Sequence, residues 1–251
     1  MTDYKNKIAI VTGGNKGIGL GITKRLINSG YFVIIGGKTE LTHLNKSNKC
    51  KFIQGDVSNP EFHNLLVCKA LEKNDYINLY VNNAGFSEWR PIENISKEFL
   101  NRIFSVNLFG AFWGSKAALP YMRDSSSIIN ISSIAGKRGS SNNSAYAATK
   151  FGINGLTQSL AKEVGPRGIR VNAICPVLVK TDGLLEALDK ESAPGNKDSL
   201  NFIDQFKITN SALNKLPEVD DIAEMVLFLA SSSAKAITGQ CINVDCGVFP
   251  Q

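Results

Sequence analysis

Histidine is scarce, and cysteine is present only in scattered single copies. The chain has two histidines, His43 and His63, and five cysteines with no C-x-x-C pair, so no metal site is expected. Cys50, Cys68, Cys175, Cys241 and Cys246 are odd in number, which fits reduced thiols serving as small apolar residues better than a disulfide framework. Long apolar runs are also missing. None reaches the roughly 18 residues that would span a bilayer, and the opening MTDYKNK leads into an apolar strand without a signal-peptide core. A cytoplasmic protein that does not enter membranes is expected. No run of five or six Lys/Arg occurs, although 28 basic against 22 acidic residues leave a net charge of +6, so nucleic acid is not an expected partner. No Pro- or Gly-rich linker and no internal repeat divides the 251 residues, and a single domain over 1–251 is expected.

What the chain does have is enough apolar material, 43%, arranged as alternating strands and amphipathic helices. Short β-branched runs read as strands at Ile8–Val11, Phe32–Ile35, Lys51–Gln54, Ile77–Val81, Ser127–Ile131, Arg170–Ile174 and Gln240–Val244. Helical spacing appears at Ile18–Asn28, Phe62–Lys73, Ser96–Met122 with an interruption near Gly110, Ala145–Glu163, and Asp221–Ser231. Strands without polar alternation are buried on both faces, which calls for a parallel sheet under two helical layers. The expected fold is therefore a doubly wound α/β Rossmann domain with seven parallel strands. The polar stretch 181–216 breaks this rhythm and reads as a helical flap. It follows the sixth strand, so it can cover a ligand at the carboxyl edge of the sheet.

The first strand runs into Thr12-Gly13-Gly14-Asn15-Lys16-Gly17-Ile18-Gly19 and then a helix. Gly13, Gly17 and Gly19 permit a tight turn and close backbone approach, and the helix start at Asn15–Ile18 offers free N–H groups to a pyrophosphate. Strand, glycine loop and helix together point to a dinucleotide. The second strand ends Gly36-Gly37-Lys38-Thr39, with no acid to bind an adenosine ribose; Glu40 comes later. Lys38 and Lys16 can instead reach a 2′-phosphate. NADP(H) is the favoured cofactor and NAD(H) the alternative.

Tyr146 and Lys150 stand four apart in a helical stretch and share a face. Thirteen residues before Tyr146, Ser133 follows the fifth strand, at the sheet edge where ligands collect. Carbonyl reduction needs a proton at the oxygen as hydride reaches the carbon. A tyrosine, with a reference pKa of about 10, serves only if its phenolate is stabilised. A lysine ammonium one turn away can do that, and Ser133 can hydrogen-bond the carbonyl oxygen.

With these pieces in place the chain resembles a classical short-chain dehydrogenase/reductase over nearly its whole length. The likeness rests on Thr12–Gly19, Asp56-Val57, Asn82-Asn83-Ala84-Gly85, Asn107, Ile131-Ser132-Ser133, Tyr146 to Lys150, Asn172 with Pro176 and Thr181, and Gly239-Gln240 with Asp245. The resemblance implies Tyr146 as general acid-base, Ser133 rather than Ser132 as catalytic serine, and Lys150 as tuner of the phenol and ribose ligand. It implies Asn107 in a water-linked proton relay to Lys150. It also implies Asp56 and Val57 at the adenine, Asn83, Ala84 and Gly85 along the adenosine ribose, and Val179 and Thr181 at the carboxamide. A homotetramer built on Ser96–Met122 and Ala145–Glu163 belongs to the same expectation. The motif pattern is nearest to 3-oxoacyl-carrier-protein reductases, through Asn214–Glu218 and Ile237–Gln240, which makes an acyl carrier a candidate partner, with Lys137 and Arg138 as the basic residues to receive it.

Two departures stand out: Val177 where the family carries glycine, and Cys246 in place of the first glycine of Asp-Gly-Gly. The alternatives to a reductase of small carbonyls are an NADP-sensing regulator without turnover and an NAD-dependent sugar or polyol dehydrogenase. The first typically lacks the tyrosine or lysine kept here. Trp89 and Trp113 read as packing residues, and Phe202 and Phe206 either line an apolar pocket or close the flap.

Overall fold

The computed structural model describes residues 7–39 and 48–250; Glu40 and His43 fall outside them. Seven strands pair in one sheet: β1 (Lys7–Thr12), β2 (Tyr31–Gly37), β3 (Cys50–Gln54), β4 (Leu79–Asn82), β5 (Ser127–Ile131), β6 (Arg170–Pro176) and β7 (Cys241–Val244). Their order is β3-β2-β1-β4-β5-β6-β7, and every pairing is parallel. The chain winds outward from β1 to β3, returns to β4, and winds the other way to β7. The reversal lies between β1 and β4, the place where open α/β sheets bind ligands.

Along β1, Ala9 and Val11 face one apolar cluster while Ile8 and Ile10 face another. Both faces of the strand are buried, which is why it shows no polar alternation. Helices α1 (Gly17–Asn28) and α8 (Val219–Ala230) cover the first face through Ile22, Leu26, Val226 and Leu229. Helices α2 (Pro60–Leu71), α4 (Gly110–Ala118) and α5 (Ser144–Val164) cover the second, with Leu66, Val67, Ala118 and Leu160.

Local chemistry sets the helix starts. Asn59 accepts from the Glu61 amide with Pro60 behind it, and Ser96 accepts from Phe99 to open α3 (Lys97–Phe104). A capping box between Glu218 and Asp221 starts α8 at Val219, two residues earlier than apolar spacing suggests. The interruption expected near Gly110 is a π-helical turn over Ser105–Phe109, where the Gly110 amide bonds the Ser105 carbonyl five residues back. Periodicity of 3.6 cannot reveal such a turn, because one extra residue per turn leaves the apolar pattern on either side intact.

The 181–216 excursion lies outside the sheet as α6 (Asp182–Leu188) and α7 (Ser199–Asn210). Leu188, Ala193 and Ile203 form a separate cluster with Trp89, and Phe202 packs against it. Phe202 and Phe206 meet with ring centres 5.8 Å apart and planes tilted by 44°, and through Phe202 the flap packs against the cluster that holds Trp89.

Of the two departures, Val177 keeps a negative φ, whereas Cys246 is left-handed at φ 55°. A non-glycine residue held there is strained by about 1 kcal/mol. The Cys246 carbonyl accepts from the Ser211 hydroxyl at 3.0 Å, which ties the strained residue to the end of the flap. Cys246→Gly is expected to relieve that strain and raise stability by about 0.5–1 kcal/mol, read as a melting temperature higher by roughly 2–4 °C. A lower melting temperature would mean that the half-buried thiol contributes more than the strain costs.

Candidate active site

Strand β1 ends at Thr12, whose hydroxyl joins the two loops of the switch point. It accepts from the Asn83 amide at 3.0 Å and the Ala84 amide at 3.1 Å, and donates to the Val81 carbonyl at 3.3 Å. Asn83 Nδ2 donates to the Thr12 carbonyl at 2.8 Å. Nothing in the residue pattern marks Thr12 for this part. Asn83 thus spends both its side chain and its amide on the end of β1, and Ala84 spends its amide there as well.

Gly13 is left-handed at φ 63°, and a Cβ on Gly19 would lie 2.1 Å from the Gly13 carbonyl oxygen. Only glycine fits this approach, which presses α1 against the loop. A Cβ on Gly17 would stand 3.5 Å from the Thr181 methyl, so the loop after β6 overhangs the glycine turn. Lys16 caps α1 without a side-chain bond, and no acid occupies the helix's first turn. Free N–H groups and the positive helix end at Lys16–Ile18 suit a diphosphate.

At the end of β2, Asn15 donates to the Thr39 carbonyl and hydroxyl, both at 2.9 Å, and its amide fills the space beside Gly37. Lys38 is exposed and pairs with Asp56 at 2.6 Å. Burial alone would raise the Asp56 carboxyl, but Lys38 and the Ser58 amide hold it below the usual carboxylate range. The two residues expected to meet the 2′-phosphate and the adenine therefore meet each other. Val57 is buried, and its carbonyl accepts from His63 Nε2 at 2.8 Å while Tyr80 donates to His63 Nδ1 at 2.8 Å. Burial keeps His63 below its ordinary pKa and pushes the Tyr80 phenol far up. This neutral pair behind the adenine side carried no signal in the sequence, because a lone histidine in an apolar helix has no periodic signature.

Ser133, Tyr146 and Lys150 converge just past the end of β5. Lys150 is buried and donates to the Ile131 carbonyl at 2.8 Å, while Ser132 donates to the Lys150 carbonyl at 3.3 Å. The ammonium lies 5.5 Å from the centre of the Tyr146 ring. Ser133 Oγ accepts from the Ala135 amide at 3.1 Å and faces the phenol. The Tyr146 ring is half-buried against Phe86, Phe99 and Ile103.

The electrostatics differ from the expectation in one respect. Burial pushes the Tyr146 phenol up to about 12, and the Ser133 hydroxyl is the group that opposes the rise. Burial also lowers Lys150 to about 8. The protein by itself thus holds a protonated phenol at neutral pH rather than a depressed one.

Asn107 sits buried in the π turn. Its Oδ1 accepts from the Phe86 amide at 3.0 Å, and its Nδ2 donates to the Phe86 carbonyl at 2.8 Å and the Thr149 hydroxyl at 3.4 Å. These side-chain bonds go to Phe86 and Thr149 rather than to Lys150, and they anchor the loop after β4 to α5. Val179 is buried and Thr181 caps α6 by accepting from Leu184 at 3.3 Å. Lys137 donates to the Cys241 carbonyl at 2.7 Å, and Arg138 lies over Phe249, so the basic pair considered for an acyl carrier is partly engaged. Among the described residues, no helix is long and apolar enough to cross a membrane.

A family model described as Enoyl-(Acyl carrier protein) reductase matches residues 13–249. A diacetyl reductase [(S)-acetoin forming] of Staphylococcus epidermidis is 34% identical, over 97% of this chain and 98% of that protein. An L-2,3-butanediol dehydrogenase of Corynebacterium glutamicum is 35% identical, over 97% and 99%. The ligand-free structure of Thermoplasma acidophilum aldohexose dehydrogenase superposes with a TM-score of 0.88 at 33% identity, covering 100% of this chain and 99% of that one.

Burying the Lys150 ammonium has a stability cost with a defined sign. Its pKa falls from 10.5 to about 8, so the folded chain holds fewer protons than the unfolded chain between those values. The penalty, about 3 kcal/mol, is full below pH 8 and fades as pH rises toward 10.5. Lys150→Met removes it but leaves the Ile131 carbonyl unpaired, which takes back about 1–2 kcal/mol. The variant is expected to melt roughly 2–4 °C higher at pH 7, with a smaller gain at pH 10. A lower melting temperature at pH 7 would show that the lysine is a net stabiliser.

Proposed function

The chain belongs to the classical short-chain dehydrogenase/reductase family, and from that premise we propose an NADP(H)-dependent carbonyl reductase with Tyr146 as its proton carrier. It is an oxidoreductase of carbonyl and CH–OH groups. The observation that carries the finer reading is the meeting of a protonated, half-buried phenol, the Ser133 hydroxyl and the Lys150 ammonium at the carboxyl end of β5.

NADP(H), when bound, supplies hydride to the carbonyl carbon or takes it back. Tyr146 gives its proton to the carbonyl oxygen as charge gathers there, and Ser133 donates to the same oxygen and fixes its place. The product alcohol carries that proton and the hydride. Lys150, 5.5 Å from the ring centre, opposes the negative charge left on the phenolate and reaches the ribose hydroxyls. Asn107 holds Thr149, whose hydroxyl donates to the Tyr146 carbonyl at 2.7 Å, so α5 keeps its register while a proton returns along the Lys150 side. The glycine turn and the α1 terminus take the diphosphate.

Lys38 and Lys16 without an acid at the described end of β2 support NADP(H) over NAD(H). A 2′-phosphate competes with Asp56 for Lys38 and carries more charge than one carboxylate. Phe109, Phe112 and Phe151 are exposed on the α4–α5 face, which supports self-association there as a homotetramer. A small free carbonyl is favoured over a carrier-bound one, given Lys137's engagement. Turnover distinguishes this reading from a nucleotide sensor.

Tyr146→Phe is expected to keep NADPH affinity and lose turnover about 10²–10⁴-fold, measured as NADPH oxidation with a panel of ketones; undiminished turnover would remove Tyr146 from its role. For the cofactor, Lys38→Ala is expected to weaken NADPH about tenfold, as loss of one charge-assisted bond implies, and to leave NADH nearly unchanged. Equal NADPH and NADH affinities in the unmodified chain would overturn the preference.

A further inference from the structure

Lys38 and Asp56 stand just past the ends of neighbouring parallel strands. Gly37 is level with Gln54 in the β2–β3 pairing. The Gly55 amide donates to the Gly37 carbonyl at 2.9 Å, and Gln54 Nε2 donates to the Lys38 carbonyl at 2.9 Å. The backbone that carries Lys38 is thus held by β3 on one side. Asn15 of the glycine turn holds it on the other, through its two bonds to Thr39. Asp56 is held just as closely. The Ser58 amide donates to its Oδ1 at 2.9 Å, and Lys38 Nζ meets its Oδ2 at 2.6 Å. Both carboxylate oxygens are therefore taken, one by a turn that fixes the side chain and one by the ammonium.

An anion bound by Lys38 has to share the ammonium with this carboxylate. Each partner of an ammonium lies about 2.8 Å from its nitrogen, so a second anion on Lys38 stands about 5 Å from Asp56. Across that distance a phosphate dianion and a carboxylate repel enough, even in water, to weaken binding about tenfold. Loss of the Lys38–Asp56 attraction adds less, because the Lys38 side chain is 65% exposed and the pair is screened. For a nucleotide without the 2′-phosphate the carboxylate acts in the opposite sense. It keeps the Lys38 charge matched, so a plain ribose meets a neutral pair rather than a bare ammonium.

We propose that Asp56 is a specificity-determining residue for the nucleotide: by holding Lys38 it limits the preference for NADP(H) and keeps NAD(H) usable as hydride carrier. This rests on the reading above in which Lys38 receives the 2′-phosphate. Any contact of Asp56 with the adenine is common to both nucleotides and cancels in the ratio of their affinities. The selectivity role is therefore separable from adenine binding.

The test titrates NADPH and NADH into the full chain and its variants, follows nicotinamide fluorescence, and reads the ratio of the two affinities. Asp56→Asn keeps an oxygen for the Ser58 amide but removes the charge, and Asp56→Ser does so with a shorter side chain. Each is expected to raise the preference for NADPH about tenfold at low salt. In a Lys38→Ala background the Asp56→Asn effect is expected to fall below about threefold, because the phosphate is no longer drawn to the carboxylate. A ratio that neither Asp56 variant raises, while Lys38→Ala lowers it, overturns the role of Asp56 and leaves the NADP(H) reading standing. An Asp56→Asn gain of equal size without Lys38 overturns the role as well. A ratio near one in the unmodified chain that Lys38→Ala does not move overturns both.

Discussion

The Lys150 ammonium is buried, donates to the last carbonyl of β5 at 2.8 Å, and stands 5.5 Å from the Tyr146 ring centre; the reactive edge depends on that placement. The bond fixes the first turns of α5 against the strand, and Ser132 returns a bond to the Lys150 carbonyl. Asn154 adds a third tie by donating to the Gly136 carbonyl at 2.9 Å. Because a buried ammonium is costly, its retention at this point is better explained by chemistry than by stability. The phenol carried one turn earlier inherits its position from the lysine.

A second constraint sits at the sheet reversal. Thr12 gathers the ends of β1 and β4 through its hydroxyl, and Asn83 closes the same junction from the other side. The glycine turn and the loop that follows β4 are therefore one rigid unit, and Asn107 extends it to α5 through Phe86 and Thr149. The glycine turn and α5 are thus connected through a chain of polar bonds. Trp89, on the loop after β4, meets the flap through Leu188 and Ile203, which places the cover over the same edge. Glu88 adds an ion pair to Lys190 on the flap at 2.8 Å.

Much of this was legible in the residues. The seven strands announced themselves because both faces of the sheet are buried, so β-branched runs appear without alternation. The Tyr146–Lys150 spacing and the glycine turn are local features, and local features survive in sequence. What stayed hidden depends on contacts distant along the chain. The π turn at Ser105–Phe109 preserves the apolar pattern on either side of it. His63 and Tyr80 satisfy each other only once α2 packs on β4. Lys38 and Asp56 are 18 positions apart, and their pairing follows from the β2–β3 register rather than from any motif. Spacing gives the proximity of Lys150 to the phenol, but burial, which raises the phenol to about 12, is a property of the whole fold.

The most direct measurement is the geometry of a ternary complex with NADP(H) and a small ketone or secondary alcohol. The ligand's reacting oxygen is expected within about 2.6–3.2 Å of both Tyr146 Oη and Ser133 Oγ, with Lys150 Nζ turned to the ribose. A reacting oxygen held by other groups, with the phenol facing away from it, would contradict the assignment of Tyr146 as the proton carrier.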